Sequence, residues 1–277
     1  MTSTGPGHPG PTDHDSTDRP RPRTAQQSAP EKSRRPEPLR GSPAQSGPPL
    51  GLLAGVSLIL LVAGLVVSAW LGGVFPSPFA EPALIASYFN REPDAVRASA
   101  LFVFGSAVPL ALYAATSSSR LRSLGVTAPG ATIALVGGTL SAAMLTVSGL
   151  LAWVLSRPGV RGNVPVVRAL HDLSFLTGGV AHVVFLGLLI AGIAVPGLLL
   201  GLLPRPVAAA GLVIAAIAEI ATVALLWDPA AVLLPIARFP GLVWLVIAGL
   251  MLPHRRSQRT RVAAAAERSG DHHGKVR

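Results

Sequence analysis

Six long apolar stretches, each carrying few charged residues, occupy most of the sequence between residues 50 and 253. About 18 apolar residues in succession are enough for a helix to cross the roughly 30 Å hydrocarbon layer of a membrane. The sequence therefore predicts an all-α fold, a polytopic membrane helix bundle of about six transmembrane helices over residues 50–253. The stretches run approximately over 50–72, 97–116, 131–155, 170–195, 207–227 and 233–252.

The composition favours the same class of protein. Half of the residues are hydrophobic and only 13% are charged, whereas a soluble domain is usually about 25% charged. The sequence has neither the alternating strands of an outer-membrane barrel nor a sustained heptad repeat. Soluble core helices would also show polar faces, which these stretches lack.

Catalytic and metal-binding signatures are missing from the sequence. It contains no cysteine, which excludes disulfides, thiolate metal sites and thiol nucleophiles. It also contains no Walker loop, no G-x-S-x-G elbow and no H-E-x-x-H motif. We therefore expect no catalytic residue, no metal site and no cofactor.

The two ends of the chain differ in composition from its apolar middle. Residues 1–49 are rich in Pro, Gly, Ser and Arg and contain no aromatic residue, so they cannot bury enough apolar surface to form a core. We expect a disordered cytoplasmic tail over 1–49 and a second, basic cytoplasmic tail over 254–277. The first apolar stretch is too long for the core of a cleaved signal peptide, which favours its retention as a membrane helix.

Lys and Arg residues are distributed unevenly about the predicted helices. Seventeen lie in the two tails and in the connections after the second and fourth helices, and six lie toward the opposite side. Because positive charge is retained on the cytoplasmic side of inserted helices, this pattern predicts that both termini are cytoplasmic in a plasma-membrane protein. The three arginines of residues 156–169 oppose the pattern, so an error in the helix count would most readily fall there.

The expected partners follow from this distribution of charge. The predicted helices contact the lipid bilayer, and the basic tails suggest contact with anionic lipid. Positive charge held in cytoplasmic tails needs no nucleic acid to explain it, so we expect no nucleic-acid partner. The sequence indicates no particular protein partner.

The connection between the first two helices is unusually apolar for a loop. Pro82 can open a short helix there that lies along the outer membrane interface. This segment is interpreted either as a lid over the mouth of the bundle or as an element that gates substrate access, since long loops are often functional. The apolar residues of the short helix are Leu84, Ile85, Tyr88 and Phe89.

Small residues within the predicted helices indicate close packing between helices. Gly51 and Gly55 form a GxxxG pair, and Gly137 opens a Gly-Gly pair in the third helix. Three of the four tryptophans fall at predicted outer helix ends, where amphipathic rings favour the interface, but Trp244 does not.

Polar side chains inside the predicted helices are the candidate functional residues. In the fourth helix, four residues recur at spacings of 3, 4 and 4, which places them on one stripe: His171, Ser174, Gly178 and His182. In the fifth helix, Glu219 and Thr222 share a face with small residues, and Arg238 lies in the sixth helix. The intramembrane polar candidates are therefore Glu219, His182, His171, Arg238 and Thr222.

Glu219 allows three interpretations, because a carboxyl group at membrane depth costs several kcal/mol unless it pairs with another group, is protonated or is in contact with water. In the first, Glu219 is protonated and joins two helices by a hydrogen bond, as a structural pin. In the second it is a static partner of His182 or Arg238, and in the third it is part of a path for protons, ions or substrate. At 1.5 Å per residue, Glu219 lies about 12 Å and His182 about 18 Å from the outer ends of their helices, so the two can meet. A two-histidine haem site is disfavoured because His171 and His182 lie on one helix.

Four segments carry a resemblance to known proteins. They are YFNREPDAVRASALFVFG after the first helix, RALHDLSFLTGG opening the fourth, GLLPRP before the fifth and ARFPGLVWL in the sixth. In the composition and order of these segments, the chain resembles multi-pass integral membrane proteins of unknown function from high-GC Gram-positive bacteria. The resemblance implies a six-helix bundle in the plasma membrane and assigns no site residue.

Without a catalytic motif, the sequence favours an integral plasma-membrane protein that acts as a non-catalytic scaffold or regulatory component. Two other functions stay open: a small proton- or ion-coupled transporter that uses Glu219, and a membrane-embedded enzyme that modifies lipid. The transporter requires a water-accessible cavity that reaches Glu219. The enzyme requires at least two polar groups that converge at one membrane interface.

Overall fold

The computed structural model describes residues 48–127 and 129–253, and within these ranges the fold is all-helical. Six helices are long and apolar enough to cross a membrane, which confirms the predicted all-α bundle. The predictions for the two tails fall on residues outside these ranges. We number the spans 1 to 6 in chain order: Leu50–Gly72, Pro93–Ser123, Gly130–Leu155, Val164–Leu199, Arg205–Leu225 and Asp228–Met251.

Three of the spans are not uniform α-helices. Span 4 consists of the α-helices Val164–Phe175 and His182–Leu199, joined by a π-helical segment, Leu176–Ala181. Span 5 ends in the 3₁₀ turn Ala221–Leu225, and span 6 opens with the 3₁₀ turn Asp228–Val232. The rest of both spans is α-helical.

The six spans form a closed ring in chain order. Each span packs against the next, span 6 packs back on span 1, and span 4 also contacts span 6. The first residue of span 1, Leu50, lies beside Gly249 near the end of span 6. We call this side of the ring the terminal end, and the side that holds residues 73–92 the cover end.

The terminal half of the ring contains a large buried cluster of apolar side chains. Leu121, Leu186 and Leu245 belong to the same buried cluster, in which Tyr113 is 1% exposed. The Tyr113 hydroxyl donates to the Leu245 carbonyl oxygen at 3.0 Å, which joins spans 2 and 6 across the core. This half also contains a cavity of about 290 Å³, between the connection of spans 2 and 3 and the end of span 4.

Glycines and one tryptophan explain how closely the spans approach each other. A Cβ atom added at Gly137 would lie 2.6 Å from the Leu189 backbone nitrogen, so span 3 fits span 4 only without a side chain there. Gly55, by contrast, has no neighbouring atom within 4 Å of that position, so only Gly51 of the predicted pair takes part in packing. Trp244 is buried because its ring lies against span 5, where Nε1 donates to the Val207 carbonyl oxygen at 2.7 Å.

The cover segment, residues 73–92, folds back onto the ring. Its helix spans Pro82–Arg91 and begins at the predicted proline. Proline is tolerated at a first helical position because the missing N–H would have no helical partner there. Ile85 and Phe89 are fully buried, in a cluster that includes residues from the ends of spans 3 and 4. The helix is thus packed as part of the bundle.

Two of the three arginines in residues 156–169 hold this segment in place. Arg161 Nη1 donates to the Asn90 carbonyl oxygen at 3.2 Å, and Arg168 Nη1 donates to the Ala80 carbonyl oxygen at 3.0 Å. The stretch itself forms the short helix Pro158–Arg161 and the beginning of span 4. It adds no crossing to the six.

Candidate ligand chamber

The cover half of the ring contains two adjoining cavities. The first, which we call the Arg238 chamber, has a volume of about 310 Å³ and is lined by spans 1, 2, 3, 4 and 6 and by the cover segment. The second, the Ser68 chamber, has a volume of about 410 Å³ and is lined by spans 1 to 4 and the cover segment. Four residues line both chambers: Phe75, Val103, Ser148 and Ser174.

Arg238 lies ten residues into span 6, or about 15 Å from its cover end. One guanidinium nitrogen, Nη2, donates to the Gly178 carbonyl oxygen in the π-helical segment of span 4. Arginines inside membrane spans commonly face a bundle interior and bind backbone carbonyls in this way. The Nε atom of Arg238 is buried and has no hydrogen-bond partner in the described part of the chain.

His171 lies at the junction of the chamber and the cover segment. Its ring stacks on Phe75 with centroids 6.4 Å apart and meets the edge of Phe89 at 5.4 Å. The side chain is only 5% exposed, and within residues 48–127 and 129–253 its Nε2 atom finds no hydrogen-bond partner. The cover segment thus supplies the aromatic surroundings of a chamber-lining histidine.

Aromatic contacts continue along the cover segment. Tyr88 packs against Phe75 with ring centroids 5.3 Å apart. Burial raises the pKa of the Tyr88 phenol above its ordinary value, so this group stays protonated at neutral pH.

Two serines pair spans 3 and 4 at the point where the chambers meet. Ser148 Oγ donates to the Ser174 carbonyl oxygen at 2.9 Å, and Ser174 Oγ donates to the Ser148 carbonyl oxygen at 3.3 Å. As far as the described side chains go, neither hydroxyl is hydrogen-bonded to His171. The lining therefore lacks the nucleophile–base contact that acyl transfer requires.

Only part of the predicted stripe along span 4 lines the chamber. His171, Ser174 and Gly178 line the Arg238 chamber, but His182 does not and is fully buried against span 3. Its Nδ1 atom lies 2.9 Å from Ser141 Oγ. Ser174 and Gly178 lie against Ser148, seven residues after Ser141, so His182 faces the same side of span 3 as they do but lies deeper than the chamber.

Glu219 is not brought together with His182 or Arg238. Its side chain is exposed on the outer face of span 5 and has no hydrogen bond or ion pair with any residue that the structure describes. The carboxyl group lies over Gly187, where an added Cβ atom would be 3.1 Å from Glu219 Oε1. Thr222 is exposed on the same span, and neither residue lines the two chambers.

The sequence identifies His171 and Arg238 as candidates but does not predict the residues that surround them. It missed Ser148, the π-helical segment and the use of Arg161 and Arg168 as ties to the cover segment. The adjacent Gly178 and Gly179 in span 4 are the available sequence signal for the irregular turn.

No cluster of three or more His, Asp or Glu side chains that could hold a metal ion occurs in residues 48–127 and 129–253. Comparison of the chain with protein-family models, with curated proteins and with solved structures finds no match.

Proposed function

We propose that this multi-pass membrane protein is a non-catalytic regulatory component that binds a small ligand in the Arg238 chamber. The observation that carries the proposal is a cavity of about 310 Å³ whose mostly apolar lining includes two side chains that can donate hydrogen bonds, Arg238 and His171. Small-molecule sites are concave, mostly apolar and of this size or larger, with a few polar groups that orient the ligand.

Two further observations favour binding over the other functions. Both serine hydroxyls in the lining are hydrogen-bonded to backbone carbonyls, which does not favour nucleophilic catalysis on lipid. Glu219, the residue on which a coupled transporter would depend, lies on the outer face of span 5 and not in either chamber.

The predicted orientation places the chamber on the outer side of a plasma membrane. Support comes from the sequence distribution of Lys and Arg: 17 lie before span 1, after span 6 or at the terminal ends of spans 2 and 5, against six elsewhere in the chain. A ligand would then reach the chamber from outside the cell, past the cover segment, and the tails would carry the response to the cytoplasm.

The test uses four ring probes of similar size: benzoate, benzamide, benzylamine and benzyl alcohol. Each is titrated at millimolar concentration into the full chain in lipid nanodiscs, and thermal unfolding is followed. Binding of any probe to the folded state raises the unfolding temperature.

Two variants locate the binding. Ser174→Phe places a ring in the chamber, and Leu173→Phe places the same ring on the exposed face of the same helix. We expect Ser174→Phe to remove the stabilisation and Leu173→Phe to keep it. Absence of stabilisation by all four probes, or its survival in Ser174→Phe, would contradict the proposed function.

A further inference from the structure

We infer that the ligand of the Arg238 chamber is a small amphiphilic anion, with one carboxylate or phosphate group on an apolar body. The inference rests on the proposed function, because it specifies what the same chamber binds. It depends on three features of the lining: its charge, its hydrogen-bonding groups and the distribution of its apolar surface.

The charge of the lining is positive. Arg238 is the one residue with a permanent charge among those that line the chamber, and none of the others is Asp or Glu. The two ion pairs in the described part of the chain, Arg97–Asp94 and Arg168–Asp172, do not involve it. The Gly178 carbonyl accepts one hydrogen bond from Arg238 but carries no negative charge. A cation at membrane depth is strongly favoured by an opposite charge, which an anionic ligand supplies.

The polar side chains of the lining suit an acceptor on the ligand. Arg238 carries five N–H donors, of which one on Nη2 binds the Gly178 carbonyl oxygen, and His171 donates from one ring nitrogen when neutral and from both as the imidazolium. The Ser148 and Ser174 hydroxyls already donate to backbone carbonyls. Carboxylate and phosphate oxygens accept several hydrogen bonds at once and pair well with a guanidinium group.

Most of the remaining lining is apolar, which excludes a bare inorganic anion as the best occupant. An apolar ligand body that covers this surface gains about 25 cal/mol for each Å² that it removes from water. A bare inorganic anion does not make this gain. The Ser68 chamber adjoins this space across the residues that line both cavities. The apolar side chains around the Arg238 chamber include Leu61, Val103, Leu145, Phe175 and Leu234.

Two sources offer this chemistry: a soluble organic acid and an anionic lipid. Benzoate and benzamide are the decisive probes because they share a ring and differ in charge. In nanodiscs of zwitterionic lipid, we expect the parent protein to bind benzoate at least about ten-fold more tightly than benzamide, as charge-assisted hydrogen bonds predict. Inorganic phosphate should bind more weakly than benzoate. Nanodiscs with added anionic phospholipid separate the sources: competition with benzoate identifies lipid, and no competition identifies a soluble acid.

Variants of Arg238 test its part in the preference. Arg238→Gln keeps a donor for the Gly178 carbonyl but removes the charge, and it should bind benzoate and benzamide equally. Arg238→Lys should retain the preference for benzoate. Arg205→Gln, at an exposed arginine of the terminal end, is the matched control and should behave like the parent.

Several results would overturn the inference. They are equal binding of benzoate and benzamide by the parent, tighter binding of benzylamine, benzoate binding no tighter than that of phosphate, or a benzoate preference that persists in Arg238→Gln. Each of the first two leaves the proposed function intact if Ser174→Phe still abolishes binding. If Arg238→Gln fails to fold, the comparison of probes on the parent and on Arg238→Lys still decides.

Discussion

Arg238 and Glu219 are charged residues at membrane depth whose environments differ. Arg238 lies inside the ring, lines a chamber and donates to a carbonyl of the neighbouring span. Glu219 lies on the outer face of span 5, over Gly187, where no described residue pairs with it. A residue at membrane depth that pairs with no group of its own fold does not stabilise that fold. Substitutions of Glu219 and Arg238 should therefore differ in their effect on the free energy of unfolding.

Replacement of Glu219 should therefore not weaken the monomer. We expect Glu219→Leu and Glu219→Gln to unfold with a free energy within about 0.5 kcal/mol of the parent, or above it, because no internal hydrogen bond is lost. Arg238→Leu is the contrasting variant and should lose about 1 to 3 kcal/mol, since the Gly178 carbonyl loses its donor. The measurement is equilibrium unfolding in detergent. A clear loss in Glu219→Leu would restore its interpretation as an interhelical pin.

At the scale of elements, the sequence predicts the six spans and the cover helix but not the turn within span 4. Apolar runs and initiating prolines act through local chemistry, so the residues alone are sufficient to find them. A helical wheel assumes one angle per residue, and the π-helical segment before His182 breaks that assumption. The segment also contacts spans 3 and 6, through Gly178 with Ser148 and Arg238, and sequence spacing does not contain these contacts.

The contact between spans 3 and 4 depends on the absence of a side chain at Gly137. We expect Gly137→Ala to destabilise the protein by about 1 to 3 kcal/mol, because the added methyl group overlaps the backbone at Leu189. Gly55→Ala adds the same group where nothing lies within 4 Å and should be neutral or stabilising by up to about 1 kcal/mol. Thermal unfolding of both variants compares them. Equal effects would show that the close approach of spans 3 and 4 is not what Gly137 provides.

The cover segment accepts hydrogen bonds from arginines that lie just before and within the first turns of span 4. Loss of the bond from Arg168 to the Ala80 carbonyl should loosen residues 73–92, so we expect Arg168→Gln to speed amide hydrogen exchange there several-fold, corresponding to about 1 kcal/mol. Arg157→Gln is the control, because Arg157 packs over the Trp153 ring and makes no described bond to the segment. Unchanged exchange in Arg168→Gln would mean that the buried Ile85 and Phe89 suffice to hold it.

At the scale of the whole molecule, the two halves of the ring differ in what they contain. The terminal half holds a buried apolar cluster joined by the Tyr113 hydrogen bond, and a cavity of about 290 Å³ between the connection of spans 2 and 3 and the end of span 4, whereas the cover half contains the Arg238 and Ser68 chambers. The order of packing around the ring follows chain order, so short connections between successive helices favour it. The closing contact between spans 6 and 1 is the exception, and it depends on glycines such as Gly51 and Gly249 that the sequence places far apart.

The orientation of this ring in the membrane is the last prediction, and it decides which compartment the chambers face. Arg120, Arg122 and Arg205 lie at the terminal end, and fourteen more Lys and Arg residues belong to the sequence before span 1 and after span 6, so that end should be cytoplasmic. Arg161 and Arg168 oppose this bias, but both donate to carbonyls of the cover segment and so belong on its side of the membrane. Reporter fusions at residue 30 and after residue 260 should read inside, and one near residue 85 should read outside. The reverse pattern would keep the ring but turn the Arg238 chamber toward the cytoplasm, and terminal fusions on different sides would contradict six crossings.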